Sequence, residues 1–191
     1  MKNLLLAVAI TAWLAGLAMA QEYKDLQSAA YRSSAPPFEV SVPKECPGWH
    51  IRYAPLKGKP IIFVKTKSTE MPVIGTSVNF YDDAPAGIKQ LWSDPYRILE
   101  LVAADAERTE KELLRDVEVL VSQRVTIAGL SGYDRVFRSR AVGITYHYVY
   151  VLFPQAIVQF SLNAKTASFN EDNSDLSLSL IPSSGSKRRK P

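Results

Sequence analysis

VTIAGLSGYDRVFRSRAVGITYHYVYVLFPQAIVQFSL, residues 125–162, is the stretch that decides the fold. Apolar residues alternate in short runs, and each run is cut by glycine or proline, the signature of strands joined by tight turns. Gly129 and Gly132 bracket a turn that holds Ser131. In 133–140, Val136 points one way while Tyr133, Arg135 and Phe137 point the other. Gly143 breaks the next run. Residues 144–153 carry no acidic, lysine or arginine side chain, and both their faces can be buried: Ile144, Tyr146, Tyr148, Tyr150 and Leu152 on one, Thr145, His147, Val149, Val151 and Phe153 on the other. Pro154 makes a corner, after which Ala156, Val158, Phe160 and Leu162 form the buried side of a further strand. The segment is an antiparallel meander.

Upstream, Val117, Val119, Val121, Val125 and Ile127 continue the period of two and are expected on one face. Before them the period changes. Asp94-Pro95 is a helix start, because aspartate caps free N–H groups and proline suits the first helical position. Residues 94–114 read as one amphipathic helix with Leu99, Val102, Ala106 and Leu113 near its inner face. Glu107–Lys111 and Arg108–Glu112 are supporting i, i+4 pairs, and the run EKELLRD (110–116) is the expected solvated face. A shorter helix over 86–92 precedes it. Earlier still, 38–42, 49–53, 60–67 and 74–81 read as strands bounded by Pro, Gly, Ser or Asp. Residues 21–37 read as a leader or linker, with a short helix over 22–31 as the structured alternative. Over 170–181 the local pattern leaves two options: Leu176, Leu178 and Leu180 alternate with serine as in a strand, while Leu176 and Leu180 also fit a helix. Hairpin-like strands on both sides of one long helix predict an α+β domain whose antiparallel sheet is covered by helices.

This order of elements resembles the PsbP/DcrB-like family. The resemblance lies in an early strand ending in proline and followed by Pro47-Gly48-Trp49, a charged mid-chain helix, the Gly129–Gly132 turn, the aromatic meander from Tyr146 to Phe160, and an end near Ile181-Pro182-Ser183. It covers residues 38–183. It implies an α/β/α sandwich with a central antiparallel sheet, a fold shared with a small Ran-binding protein of nuclear import. It also implies a C-terminal helix, which tips 170–181 toward helix. The family implies extracytoplasmic accessory or binding proteins without a shared catalytic constellation, so no site residue is carried over. Its bacterial members are often lipid-anchored. This chain has no cysteine after its apolar leader, which puts a lipid tether in doubt.

That leader, residues 1–20, has the form of a secretory signal. Lys2 opens it, Leu4 to Ala18 is apolar, and Ala18-Met19-Ala20 is the small-x-small site that signal peptidase reads. The apolar run is shorter than the ~20 residues that span a bilayer. The mature chain is expected to begin at Gln21, which places it in the periplasm or outside the cell. The lone Cys46 excludes an internal disulfide and reads as buried filler or a thiol open to another chain. The net charge of +4 is misleading, because residues 21–186 carry 18 basic and 19 acidic side chains. A near-neutral body offers no nucleic-acid groove. The surplus sits in Lys187, Arg188, Arg189 and Lys190, within a flexible tail (184–191) that is either a solvated end or an attachment to an anionic lipid or polymer.

Catalytic readings are weak. Gly129-Leu130-Ser131-Gly132 is one residue short of a nucleophile elbow and leads into a strand, not a helix. His50 and His147 are far apart, and no close-set ligands suggest zinc. Asp82-Asp83 reads as a solvated loop before it reads as a cation site. No phosphate-cradling loop or facing carboxylate pair is evident, and no cofactor is expected. The remaining candidate is the row Tyr146, Tyr148 and Tyr150, an aromatic stripe about 14 Å long at ~3.4 Å per residue. Tyrosine suits protein, peptide or sugar contacts, although the same stripe could lie under a helix. The sequence therefore reads as a non-enzymatic envelope binding or accessory domain. The partner is expected to be another envelope protein and the tyrosine face its candidate surface. Peripheral membrane contact through the tail is the alternative, and a hydrolase is a more distant one.

Overall fold

The computed structural model describes residues 24–26, 30–34, 36–41, 49–53, 61–65 and 73–170, with side chains at 30–33, 36, 38 and 39 and over 75–170. Ten strands and two helices follow in order. They are β1 (Lys24–Leu26), β2 (Ala30–Ser34), β3 (Pro37–Ser41), β4 (Trp49–Tyr53), β5 (Ile61–Lys65), β6 (Val73–Phe80), α1 (Ala86–Lys89), α2 (Pro95–Leu113), β7 (Val117–Ile127), β8 (Leu130–Ser139), β9 (Ile144–Phe153) and β10 (Ala156–Lys165). Eight strands form one sheet in the order β1-β4-β5-β6-β10-β9-β8-β7, with every pairing antiparallel, and β2 and β3 form a separate hairpin. The fold is α+β, as the alternation of periods predicts.

The meander from β7 to β10 is its centre. Ile127 pairs with Leu130, so the first turn is only Ala128-Gly129. Both residues have positive φ, 49° and 81°, the conformation of a type I′ turn, whose twist matches that of the strands. Gly132 is therefore not a turn residue. It lies inside β8, where a Cβ would come within 3.0 Å of both the Tyr150 carbonyl oxygen and Val125 Cγ2. Phe153 pairs with Ala156 around Pro154-Gln155, the corner expected there.

The sheet has two apolar faces. Tyr146, Tyr148, Tyr150, Leu152, Phe137 and Ile157 lie against Ile98, Leu99, Ala103 and Leu114 of α2 and the turn after it. Val149, Val151, Phe153, Val158, Phe160 and Leu162 form the opposite face, where Phe38 from the β2–β3 hairpin packs edge-on to Phe160 with ring centroids 6.0 Å apart. The two faces of β9 and β10 are those the alternation assigns.

α2 starts where the sequence places it: the Asp94 carboxylate accepts from the Arg97 N–H at 3.1 Å, and Pro95 is the first helical residue. Its buried set is Ile98, Leu99, Ala103, Ala106 and Glu110. Leu113, expected inside, hangs exposed at the helix end. Glu107 and Lys111 meet at 2.6 Å, while Arg108 pairs with Asp105.

Three other expectations change. Val117, Val119, Val121, Val125 and Ile127 of β7 do not share a face. The ladder slips between Val119 and Val121, so that Val119 opposes Phe137 and Val121 opposes Val136. One extra residue, Leu120, sends Val117 and Val119 toward α2 and Ile127 toward the other core. Residues 21–37, expected as a leader or linker with a short helix over 22–31 as the alternative, carry β1 and β2 instead, and β1 pairs with β4 inside the main sheet. The charge run 110–116 is not wholly solvated: Glu110 and Leu114 are buried. The backbone is helical at Phe169 and Asn170, the last described residues. The helix expected over 170–181, Cys46 and the tail Lys187, Arg188, Arg189 and Lys190 lie outside the described residues.

Candidate functional site

Tyr146, Tyr148 and Tyr150 are the sequence's candidate contact surface, and the structure places them inside. They are 7%, 6% and 2% exposed, under α2. Their rings form one stack with Phe137, which lies parallel to Tyr146 at 4.8 Å and edge-on to Tyr148 at 5.2 Å. The row is core, the second of the two readings its spacing allowed. The reason is that α2 supplies an apolar face of matching width, and aromatic area is stabilised most when it is removed from water. Burial raises the hydroxyl pKa of all three, and the Glu110 carboxylate raises it further.

That carboxylate belongs to a site that the sequence reading missed. Arg135 is 0% exposed and Glu110 1%. Arg135 Nη1 donates to Glu110 Oε1 at 3.0 Å and lies 2.8 Å from Oε2. Its Cζ sits 4.9 Å from the centre of the Phe137 ring, and its Nη2 lies 3.6 Å from Glu107 Oε2. Arg135 Nε is buried without a hydrogen-bond partner, and the Tyr150 hydroxyl, buried beside the guanidinium, feels an interaction with Arg135 that only partly offsets the effect of burial on its pKa. Burial pushes the Glu110 carboxyl up to about 7, against the opposing charge and hydrogen bond of Arg135. Two signals in the sequence could have found this pair. Arg135 alternates with Tyr133 and Phe137 on a core face, and Glu110 stands four residues after Ala106. A charge at each position demands a buried partner.

On the opposite face, His147 Nε2 donates to Asp134 Oδ1 at 2.7 Å, and Gln123 Nε2 donates to Asp134 Oδ2 at 3.3 Å. Burial alone would raise the Asp134 carboxyl. The hydrogen bond and charge of His147, with the Gln123 bond, outweigh it and hold the group below its ordinary value. This His–Asp dyad has no nucleophile from Ser131. Ser131 pairs with Thr126 in β8, and strand alternation puts it on the face away from Asp134. No strand-to-helix elbow exists there.

Charge that reaches solvent gathers along β7 and β8. The Glu118 Oε2 atom accepts from Arg138 Nε and from Arg140 Nη2, both at 2.8 Å, and those two bonds lower its pKa. Arg124 donates to Glu100 at 2.8 Å and covers the Tyr96 ring. Asp82 and Asp83 sit exposed in a 3-10 turn, and no group of three or more metal-ligating side chains occurs among the described residues. No helix among them is long and apolar enough to cross a membrane.

No family model matches the chain, and no curated protein matches it. Among solved structures, it is similar to cyanobacterial PsbP (CyanoP) from Synechocystis sp. PCC 6803. The identity is 12% and the TM-score 0.48, over 86% of this chain and 92% of that one. It is also similar to PA94 from Pseudomonas aeruginosa, a protein of unknown function, with 14% identity and a TM-score of 0.44, over 84% of this chain and 97% of that one. At these identities and TM-scores neither likeness carries a role for any residue of this chain.

Proposed function

We propose that this chain is an exported, non-enzymatic accessory or binding domain of the cell envelope that engages another envelope protein. The observation that carries the reading is the edge of the sheet. β7 is eleven residues long and ends the strand order, with no strand beyond it among the described residues. A strand edge presents a row of backbone N–H and C=O groups, which an extended segment of a partner can pair with. Leu120, thrown out by the bulge, is 46% exposed on this edge, and Arg124, Glu118, Arg138 and Arg140 flank it. The alternative surface is spent: both faces of β9 and β10 are core, and Glu110 and Arg135 are sealed under α2.

Export follows from the leader: Lys2, the apolar run and Ala18-Met19-Ala20. A second reading rests on Lys187, Arg188, Arg189 and Lys190, four consecutive cations that would attract an anionic lipid surface. One experiment separates the two. The chain is expressed with its own leader, its mass is measured, and envelope fractions are probed for association of the wild type, Leu120→Lys and a deletion of 187–190. The expected result is a chain that begins at Gln21 and associates through a saturable site, weakened by Leu120→Lys and indifferent to the deletion. Association abolished only by the deletion establishes the second reading. A chain that keeps Met1 in the cytoplasm overturns both.

A further inference from the structure

We propose that α2 is held to the sheet by an arginine that changes partner with pH: Arg135 pairs with Glu110 when that carboxyl is charged and with Glu107 when it is protonated. This is independent of the partner-binding reading and concerns the interior of the same layer.

The geometry holds both acceptors within reach of one guanidinium. Arg135 is fully buried and cannot reach water. A lone buried cation is costly, so one of its neighbours must carry a negative charge at every pH at which the fold stands. Two carboxylates are within reach, and they differ. Glu110 is 1% exposed in its side chain, while Glu107 is 31% exposed and one turn away on the same helix. Desolvation penalises the charged form of the buried group far more than that of the half-exposed one. The first proton taken up near neutrality therefore goes to Glu110. Arg135 Nη2 lies 3.6 Å from Glu107 Oε2. A movement of less than 1 Å brings that pair to the 2.7–2.9 Å of a charge-assisted bond. The step balances simply: one proton from solvent joins the Glu110 carboxylate, and one arginine exchanges acceptors.

The remaining charged and titratable groups around the cluster fit the exchange. On α2, Lys111 pairs with Glu107 at 2.6 Å. On β9, Tyr146, Tyr148 and Tyr150 face Glu110, and burial keeps all three hydroxyls neutral across the range. On β8, the Tyr133 hydroxyl is engaged by Ser122, and on β7, Arg124 is held by Glu100. Neither supplies a competing carboxylate to Arg135.

The sign of the pH effect is fixed. The folded-state pKa of Glu110, pushed up to about 7, stands above the ordinary value of a glutamate carboxyl. The folded protein binds more protons between those values, so this group's contribution to stability is fully present at lower pH and is lost as pH rises through 7. The test is thermal unfolding of the intact protein from pH 5 to 8.5, as wild type, Glu110→Gln and Glu107→Gln. It is read beside the carbon-13 side-chain carboxyl shift of Glu110. The wild-type Tm is expected to fall as pH rises through 7. Glu110→Gln flattens that slope, and Glu107→Gln lowers the Glu110 midpoint by about half a unit or more, the effect of one screened neighbouring charge. A Glu110 midpoint below 5 overturns the proposal, as does a wild-type Tm that rises from pH 5 to 7. Either result would make Glu110 a permanently charged partner. The carboxyl titration is made on the wild type, so it decides the matter even if Glu110→Gln does not fold.

Discussion

Tyr148 and Tyr150 stand two residues apart in one buried row, yet their loss should read differently. Tyr148 contributes a full ring to the stack with Phe137 and Tyr146. Tyr148→Ala should cost about 3–5 kcal/mol, the range for truncating a buried aromatic. Tyr150 carries a buried hydroxyl that no well-formed hydrogen bond satisfies, although the Arg135 guanidinium lies near enough to act on it. Tyr150→Phe should leave stability unchanged or raise it by up to about 1 kcal/mol, because an unpaired desolvated group is removed. Urea midpoints measure both, and a loss beyond 1 kcal/mol in Tyr150→Phe would mean the hydroxyl is satisfied. Asp134 gives a third test. Its folded pKa lies below its ordinary value, so its contribution to stability is present above that value and disappears as pH falls through the folded one. Asp134→Asn should flatten the acid limb below about pH 4 of a stability-against-pH curve. At this scale the sequence misled in one direction. Glu110 was hidden in a charged run and Arg135 between aromatics, because a one-dimensional pattern assigns charge to solvent unless its partner is known. The tyrosine row was legible as a face, but not as a covered one.

The elements were legible wherever the period was long. Ten residues each of β8, β9 and β10, and nineteen of α2, hold one period each. Where the run is short, the signal fails: Lys24–Leu26 has three residues and no room to alternate. A bulge defeats alternation altogether, because the single extra residue at Leu120 turns five apparently equivalent positions into two sets on opposite faces. The turn after β7 gives a prediction at this scale. Ala128 has φ 49°, which an L-residue with a Cβ adopts at a cost, whereas asparagine tolerates it. Ala128→Asn should raise stability by about 0.5–1 kcal/mol. Gly132→Ala should lower it, since the new Cβ meets backbone and not only a movable side chain. Thermal melts of the two variants check the pair. Equal melting temperatures would contradict the assignment of Ala128, not Gly132, to the turn.

Across the whole molecule, one sheet separates two cores. α2 closes one of them, and Phe38 of the β2–β3 hairpin packs into the other. Both faces of the central strands are therefore occupied, and this moves the functional question from the faces to the edge. The sequence could assign two apolar faces to β9, but it could not say which strand would be outermost. Strand order depends on contacts between residues far apart, such as Val158 with Val78. We propose that the β7 edge is where this domain meets an envelope protein. The most direct measurement is photocrosslinking in intact cells, with a photoreactive residue placed at 120 on the edge or at 112 on the outer face of α2. The account predicts an adduct with an envelope protein from position 120, absent from position 112 and retained when residues 187–190 are deleted. Adducts from position 112 alone, or from position 120 only while the basic tail is present, would contradict it.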